Sequence, residues 1–187
     1  RFLFPGKLVK DHHYRPLSDK KISGLGTCLG QMLYIDDTAL LSNAWAGKLF
    51  VKHNMPGARI LESGNDFAFL VSDGRKLAFL NDREILWEDV YHDEISDIKF
   101  ENRNNLFWIL GKKGIGIFDP ELKKTEKILD RENITCLEAS GGKIIAGTGE
   151  GYFLIDAADR KADGELHNRL PCTDITVIKE IDGSLWF

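Results

Sequence analysis

Trp108-Ile109-Leu110-Gly111-Lys112-Lys113-Gly114, running straight into Ile115-Gly116-Ile117-Phe118-Asp119, is the stretch on which the fold turns. At an offset of 37 residues the same layout returns as Ile145-Ala146-Gly147-Thr148-Gly149-Glu150-Gly151 and Tyr152-Phe153-Leu154-Ile155-Asp156, in register and without a gap. Each copy is two apolar runs of strand length joined by a short turn rich in glycine and charge, which is the layout of a hairpin.

Working outward, Ile95-Ser96-Asp97-Ile98 precedes the first copy and recurs as Ile134-Thr135-Cys136-Leu137 and Ile175-Thr176-Val177-Ile178, at offsets of 39 and 41. The third copy continues to Asp182-Gly183-Ser184-Leu185-Trp186-Phe187, which places Trp186 where Trp108 and Ile145 stand. Upstream the match loosens but the rhythm holds. Ile60-Leu61, Phe67 to Val71, an Asp73-Gly74 turn, Leu77 to Leu80 and Ile85-Leu86-Trp87 form one unit, and another begins near Ile22. Units therefore start at 22, 60, 95, 134 and 175, a step of one four-stranded motif each.

The breaks between strands carry turn residues: Asn104-Asn105, Gly141-Gly142, Asp119-Pro120 and Asp182-Gly183. No window of about a dozen residues shows the apolar stripe of an amphipathic helix. Pro56 and Pro171 fall where units should connect, and the charged stretch Glu121 to Lys127 reads as a solvated outer hairpin. The expectation is an all-β chain: a β-propeller of four-stranded antiparallel blades, here about four blades plus the start of a fifth. It forms a single incomplete domain over 1–187, with blades at 22–59, 60–94, 95–133, 134–174 and 175–187.

Composition agrees with a folded chain. Of 187 residues, 43% are hydrophobic and 29% charged, and the formal net charge is −4. With no excess of Lys and Arg, nucleic acid is a poor partner for the chain as a whole. No apolar run approaches the roughly 20 residues of a membrane span. A first residue of Arg and the lack of a signal-peptide layout suggest a mature, processed or excised polypeptide. Cys28, Cys136 and Cys172 stand far apart, with no Cys-x-x-Cys pair, and read as small apolar strand residues. No metal or other cofactor is indicated.

Ile-Thr-x-Ile, a polar turn, Gly-x-Leu-Trp-Ile-Gly-Thr, two residues, Gly and an apolar strand ending in Asp is the pattern of the two-component regulator propeller repeat. The chain resembles it through Ile134-Thr135 with Gly147-Thr148-Gly149-Glu150-Gly151, and Ile175-Thr176 with Asp182-Gly183-Ser184-Leu185-Trp186. The likeness runs from about Glu94 to Phe187 and departs at Leu110, where the pattern has Gly, and at Ile145, where it has Trp. It implies a periplasmic or extracellular propeller, such as the sensor half of a hybrid histidine kinase or part of a secreted protein of polysaccharide use. At this blade length a seven-bladed ring needs roughly 270 residues. The chain is therefore expected to be a fragment, or one piece of a larger protein that supplies the remainder of the propeller, with Arg1 to Leu17 offering a strand for closure.

Propellers bind where the innermost strands begin. Tyr91-His92-Asp93-Glu94, Asp130-Arg131-Glu132-Asn133 and the residues up to Asp174 occupy those positions, so His92, Arg131 and Asp174 are candidates for a shared pocket, set against a role as solvated turn residues. The run His12-His13-Tyr14-Arg15 suits a sugar, a carboxylate or a metal, although adjacent side chains on a strand face opposite ways; His13, Tyr14 and Arg15 are candidates on that basis. Trp45 is the aromatic best placed to stack on a sugar ring. Trp108 and Trp186 read as packing between blades, and His53 and His167 as surface histidines.

No nucleophile elbow or phosphate-cradling loop is present. Gly24-Leu25-Gly26 and Gly147-Thr148-Gly149 have no helix after them. The function expected is recognition of an oligosaccharide or partner protein outside the cytoplasm. The alternative is the propeller portion of a secreted lyase or glycoside hydrolase, for which His92 with Tyr91, or His13 with Tyr14, would be the chemistry. A WD-repeat scaffold is disfavoured by the lack of Gly-His and Trp-Asp signatures.

Overall fold

A computed structural model describes residues 21–28, 31–36, 39–43, 49–65, 68–81, 83–170 and 174–187. Every regular element among them is a strand. The first sheet contains β1 (Gly24–Cys28), β2 (Gln31–Ile35), β3 (Ala39–Asn43) and β4 (Leu49–Asn54), and the second β5 (Ile60–Ser63), β6 (Phe69–Ser72), β7 (Lys76–Leu80) and β8 (Ile85–Val90). The third contains β9 (Ile95–Glu101), β10 (Leu106–Gly111), β11 (Gly114–Asp119) and β12 (Lys124–Asp130). The fourth contains β13 (Ile134–Ser140), β14 (Lys143–Thr148), β15 (Gly151–Asp156) and β16 (Lys161–Ala162), and a last pair is β17 (Lys179–Ile181) with β18 (Ser184–Trp186). Within every sheet the strands lie in chain order and pair antiparallel.

First strands neighbour one another in succession, β1 beside β5, β5 beside β9, β9 beside β13 and β13 beside β17. That places them innermost, with the sheets radiating outward as blades of a propeller. Packing follows from the two faces of the second strands. In β10, Leu106, Trp108 and Leu110 join the core shared with Leu137, Ile144 and Phe153 of the fourth sheet. Phe107 and Ile109, pointing the other way, join Leu70, Leu77 and Phe79 of the second. A strand buried on both faces reads as an unbroken apolar run, and this one does. Equivalent cores lie between the first and second sheets and between the fourth sheet and the last pair.

Trp108 is fully buried, as its repeat position suggested, whereas Trp186 is 60% exposed. The difference is one of neighbours: Trp108 is covered by the next sheet, and no described residue covers Trp186. Cys136 lies buried in the core with Ile145, Ile175 and Ile178.

Hairpin register aligns the blades more closely than sequence spacing does. Four residues separate each of the pairs Ser72 and Leu77, Leu110 and Ile115, and Gly147 and Tyr152. Bulges opposite Leu110/Gly111 and at Ile134/Cys136 lengthen the inner strands of the third and fourth sheets. As a result Ile60, opposite Ser72, corresponds to Asp97, opposite Leu110. In the same register Glu62 faces Leu70, Lys99 faces Trp108, Glu138 faces Ile145 and Lys179 faces Trp186. One inner-strand position thus reads Glu, Lys, Glu, Lys around four successive blades.

That position clasps the blades together. Glu62 accepts a hydrogen bond from the Phe100 N–H at 3.0 Å. Glu138 accepts from the equivalent Glu180 N–H at 3.4 Å and from Lys179 Nζ at 3.1 Å. Burial raises the Glu62 carboxyl above its ordinary value, against the Phe100 N–H and the Lys99 charge. Burial opposes the charge on Lys99, but Asp97, 3.1 Å away, and Glu62 more than offset it and raise its pKa.

Candidate functional site

At the end of the blades where inner strands begin, the second and third strands of each blade also turn. A cleft of about 950 Å³ opens there. Its wall is assembled from the residues just before β1, β5, β9 and β13, together with the turn between β10 and β11. The charged residues lining it are Lys21, Arg59, Glu94, Lys112, Lys113 and Glu132. Around them lie Ser96, Asn133 and Thr135 and the backs of Ile60, Ile95 and Ile134.

The wall is fixed by main-chain bonds between turns and connections. Tyr91 N–H donates to Arg75 O at 2.8 Å, Ile95 N–H to Gly74 O at 2.7 Å, Lys112 N–H to Glu94 O at 2.9 Å and Arg131 N–H to Lys113 O at 3.1 Å. Turns need an internal acceptor as well. Asp73 Oδ1 accepts from Arg75 N–H, and Thr148 Oγ1 from Glu150 N–H two residues on. In the third blade the equivalent position is Gly111, which has no side chain to offer. There the acceptor comes from the connection: the buried Asp93 carboxylate takes the Lys113 N–H, and also the Glu94 N–H at 2.8 Å. A Cβ on Gly111 would lie 2.7 Å from Asp93 Oδ2, so glycine is what lets the carboxylate in. Burial alone would raise the Asp93 carboxyl, but the N–H groups of Lys113 and Glu94 and the charges of Lys113 and His92 hold it below its ordinary value.

Arg59 is positioned by two contacts. Its guanidinium lies over Gly74, where any Cβ would fall 2.0 Å from Nη2, and Nη2 stands 3.6 Å from Glu94 Oε1. Both side chains are more than half exposed, so the pair is weakly held and its partners remain available to a ligand.

Of the residues singled out from sequence, His92, Arg131 and Asp174 all lie exposed at this end of the blades but do not line the cleft. The His92 ring rests on Tyr91, with centroids 4.2 Å apart. The Arg131 guanidinium lies 4.8 Å over the Phe153 ring, and Asp174 reaches toward Gly149 in the β14–β15 turn. Tyr91 is buried, its hydroxyl over Gly116, and burial followed by the Asp93 charge raises its pKa. Trp45, His13, Tyr14 and Arg15 lie outside the described residues. His167 is half-buried, stacked on Tyr152 and 3.2 Å from Asp163 Oδ2. Among the described residues no cluster of three His, Cys, Asp or Glu could hold a metal ion.

The repeat positions of His92, Arg131 and Asp174 lie at the same end of the blades as this cleft, and Arg59, Lys112 and Lys113 on its wall are not among the candidates read from sequence. The signal for the two lysines was present: they sit at the turn position whose equivalents are Gly149 and Glu150. The signal for Arg59 was its place one residue before an inner strand, as Glu94 stands before Ile95.

No protein-family model matches the chain, and no curated protein matches its sequence. Solved structures match its fold. A computationally designed protein, Ika8, aligns with a TM-score of 0.68 at 12% identity, over 88% of this chain and 54% of that one. The Pan2 WD40 domain of Neurospora crassa aligns at 0.59 and 15% identity, over 75% and 50%. The extracellular domain described as that of the hybrid two component system BT3049 from B. thetaiotaomicron aligns at 0.61 and 14%, over 91% of this chain and 27% of that one. The chain thus spans about half the length, or less, of these structures. Among the described residues no helix is long and apolar enough to cross a membrane. In fold the chain is all-β, part of a propeller of four-stranded antiparallel blades.

Proposed function

We propose that this chain is part of an extracytoplasmic propeller that binds a carbohydrate or a partner protein, in the manner of the sensor part of a two-component regulator. The observation that carries the reading is the cleft at the starts of the inner strands. Four successive blades contribute to it through the same structural position, and its charged side chains are exposed on a backbone held by main-chain bonds at Arg59, Ile95 and Lys112. A preformed cleft on a rigid scaffold is the usual setting of a binding site. The likeness in fold to an extracellular domain of a two component system supports the location. Apolar faces at Leu25 on the first blade and at Val177, Ile181 and Trp186 on the last support completion of the ring by further blades.

Filling the cleft tests the reading. Ser96 and Glu132 line it and are exposed, so Ser96→Trp and Glu132→Trp should each weaken binding of an oligosaccharide from a mixed neutral and acidic panel by at least about tenfold. Melting temperatures should stay near wild type. A panel with no binder would overturn the carbohydrate reading, and a binder indifferent to both substitutions would overturn the cleft as its site.

A further inference from the structure

Resting on that reading, we infer that the ligand of the cleft is an anionic oligosaccharide, held by Arg59, Lys112 and Lys113 through its carboxylate or sulfate groups. Three observations converge. The cleft is lined by four cations, Lys21, Arg59, Lys112 and Lys113, against two carboxylates, Glu94 and Glu132. This local excess of positive charge sits in a chain whose net charge is −4. A cleft lined by one sign of charge concentrates ligands of the other.

The second observation is the lining itself. No aromatic side chain is among the described residues of the wall. Neutral sugars are gripped largely by stacking their apolar faces on aromatic rings. A wall of cations, hydroxyls and amides instead rewards charge and hydrogen bonding.

The third is the state of Arg59. Its fork is aimed by Gly74 and, among the described residues, held by a 3.6 Å contact to an exposed Glu94. An incoming carboxylate can replace Glu94 at little cost and gain the bidentate geometry that an arginine offers and a lysine does not. Lys112 and Lys113 are set in the adjoining turn, whose backbone is pinned by Asp93 and Glu94, so two further charges face the same space. Glu132, also on the wall, disfavours an anion beside it.

The test is titration calorimetry of the 187-residue chain with a galacturonic acid tetramer, its methyl-esterified neutral counterpart, a sulfated tetrasaccharide and a single-stranded oligonucleotide. The inference expects binding of the uronate or the sulfated sugar, and which of the two binds identifies the acidic group. Affinity should fall as salt is raised. It should also fall at least about tenfold in Arg59→Gln and in the Lys112→Gln/Lys113→Gln double variant, each checked for wild-type melting. Equal binding of the methyl ester, or an affinity unchanged in both variants, overturns the inference. Blockage by Ser96→Trp would in that case leave the cleft itself standing as the binding site. Preference for the oligonucleotide overturns the sugar class, and binding of none of the probes overturns the inference and counts against the cleft reading as well.

Discussion

Replacing Asp93 with alanine removes the side-chain acceptor of the Lys113 N–H in the β10–β11 turn, and the size of the loss follows from the contacts. The carboxylate receives two main-chain N–H groups, those of Glu94 and Lys113, in a buried position above Gly111. A hydrogen bond to a charged group contributes about 1.5–3 kcal/mol. Because Glu94 and Lys113 are themselves exposed, water can take up part of what is lost, and the expected cost is about 2 kcal/mol. For a chain of this size that corresponds to a fall of about 4–8 °C in melting temperature.

The effect carries a pH signature. Asp93 is held below its ordinary value in the folded chain, so its contribution is fully present above the unfolded pKa, about 4. It is lost as the pH falls through the lower folded value. Thermal melts of wild type and Asp93→Ala between pH 2 and 7 should converge at the acid end. Asp93→Asn, which keeps one acceptor, should fall between them. Equal stability at pH 7, or a gap that does not narrow in acid, would refute the role assigned to this carboxylate.

Three further outcomes follow from the packing and the charges. Trp108→Ala opens a hole between the third and fourth blades and should cost about 3–5 kcal/mol by urea titration, whereas Trp186→Ala should change stability by less than about 1 kcal/mol. Burial raises the Glu62 carboxyl, so the folded chain holds that proton more tightly and loses stability as pH rises through the raised value; Glu62→Gln should melt progressively higher than wild type as pH goes from 4 to 8, and a constant difference would contradict this. Gly74→Ala displaces Arg59 and should reduce binding of the acidic sugar as Arg59→Gln does, measured by the same calorimetry.

What the sequence disclosed and what it withheld divide along physical lines. The run from Leu106 to Leu110 is apolar at every position because its two faces enter two different cores, and that signal survives in one dimension. The end of the blades that carries the cleft was legible for a similar reason: the order of strands and turns decides it. The partner of the Lys113 N–H was not legible, since Asp93 lies 20 residues away and acts only because Gly111 is empty. Nor was the alternation of Glu62, Lys99, Glu138 and Lys179. Bulges in β9 and β13 shift the inner strands, so that the start at Ile60 is matched in space by Asp97, and spacing alone, which aligns Lys99, Glu138 and Lys179, misplaces Glu62. His92, Arg131 and Asp174 share a place in the repeat, but the cleft wall takes its charges from Arg59, Glu94 and Glu132 and from the β10–β11 turn, which repeat position alone does not single out.

The alternating inner-strand charges make two blades, not one, the natural module of this chain. Deleting the third blade would set Glu62 beside Glu138, acid against acid, at a junction that now joins acid to base. Deleting the third and fourth together would bring Glu62 against Lys179 and restore the match. Duplication, grafting or shuffling of these repeats should therefore succeed in even steps and stumble in odd ones.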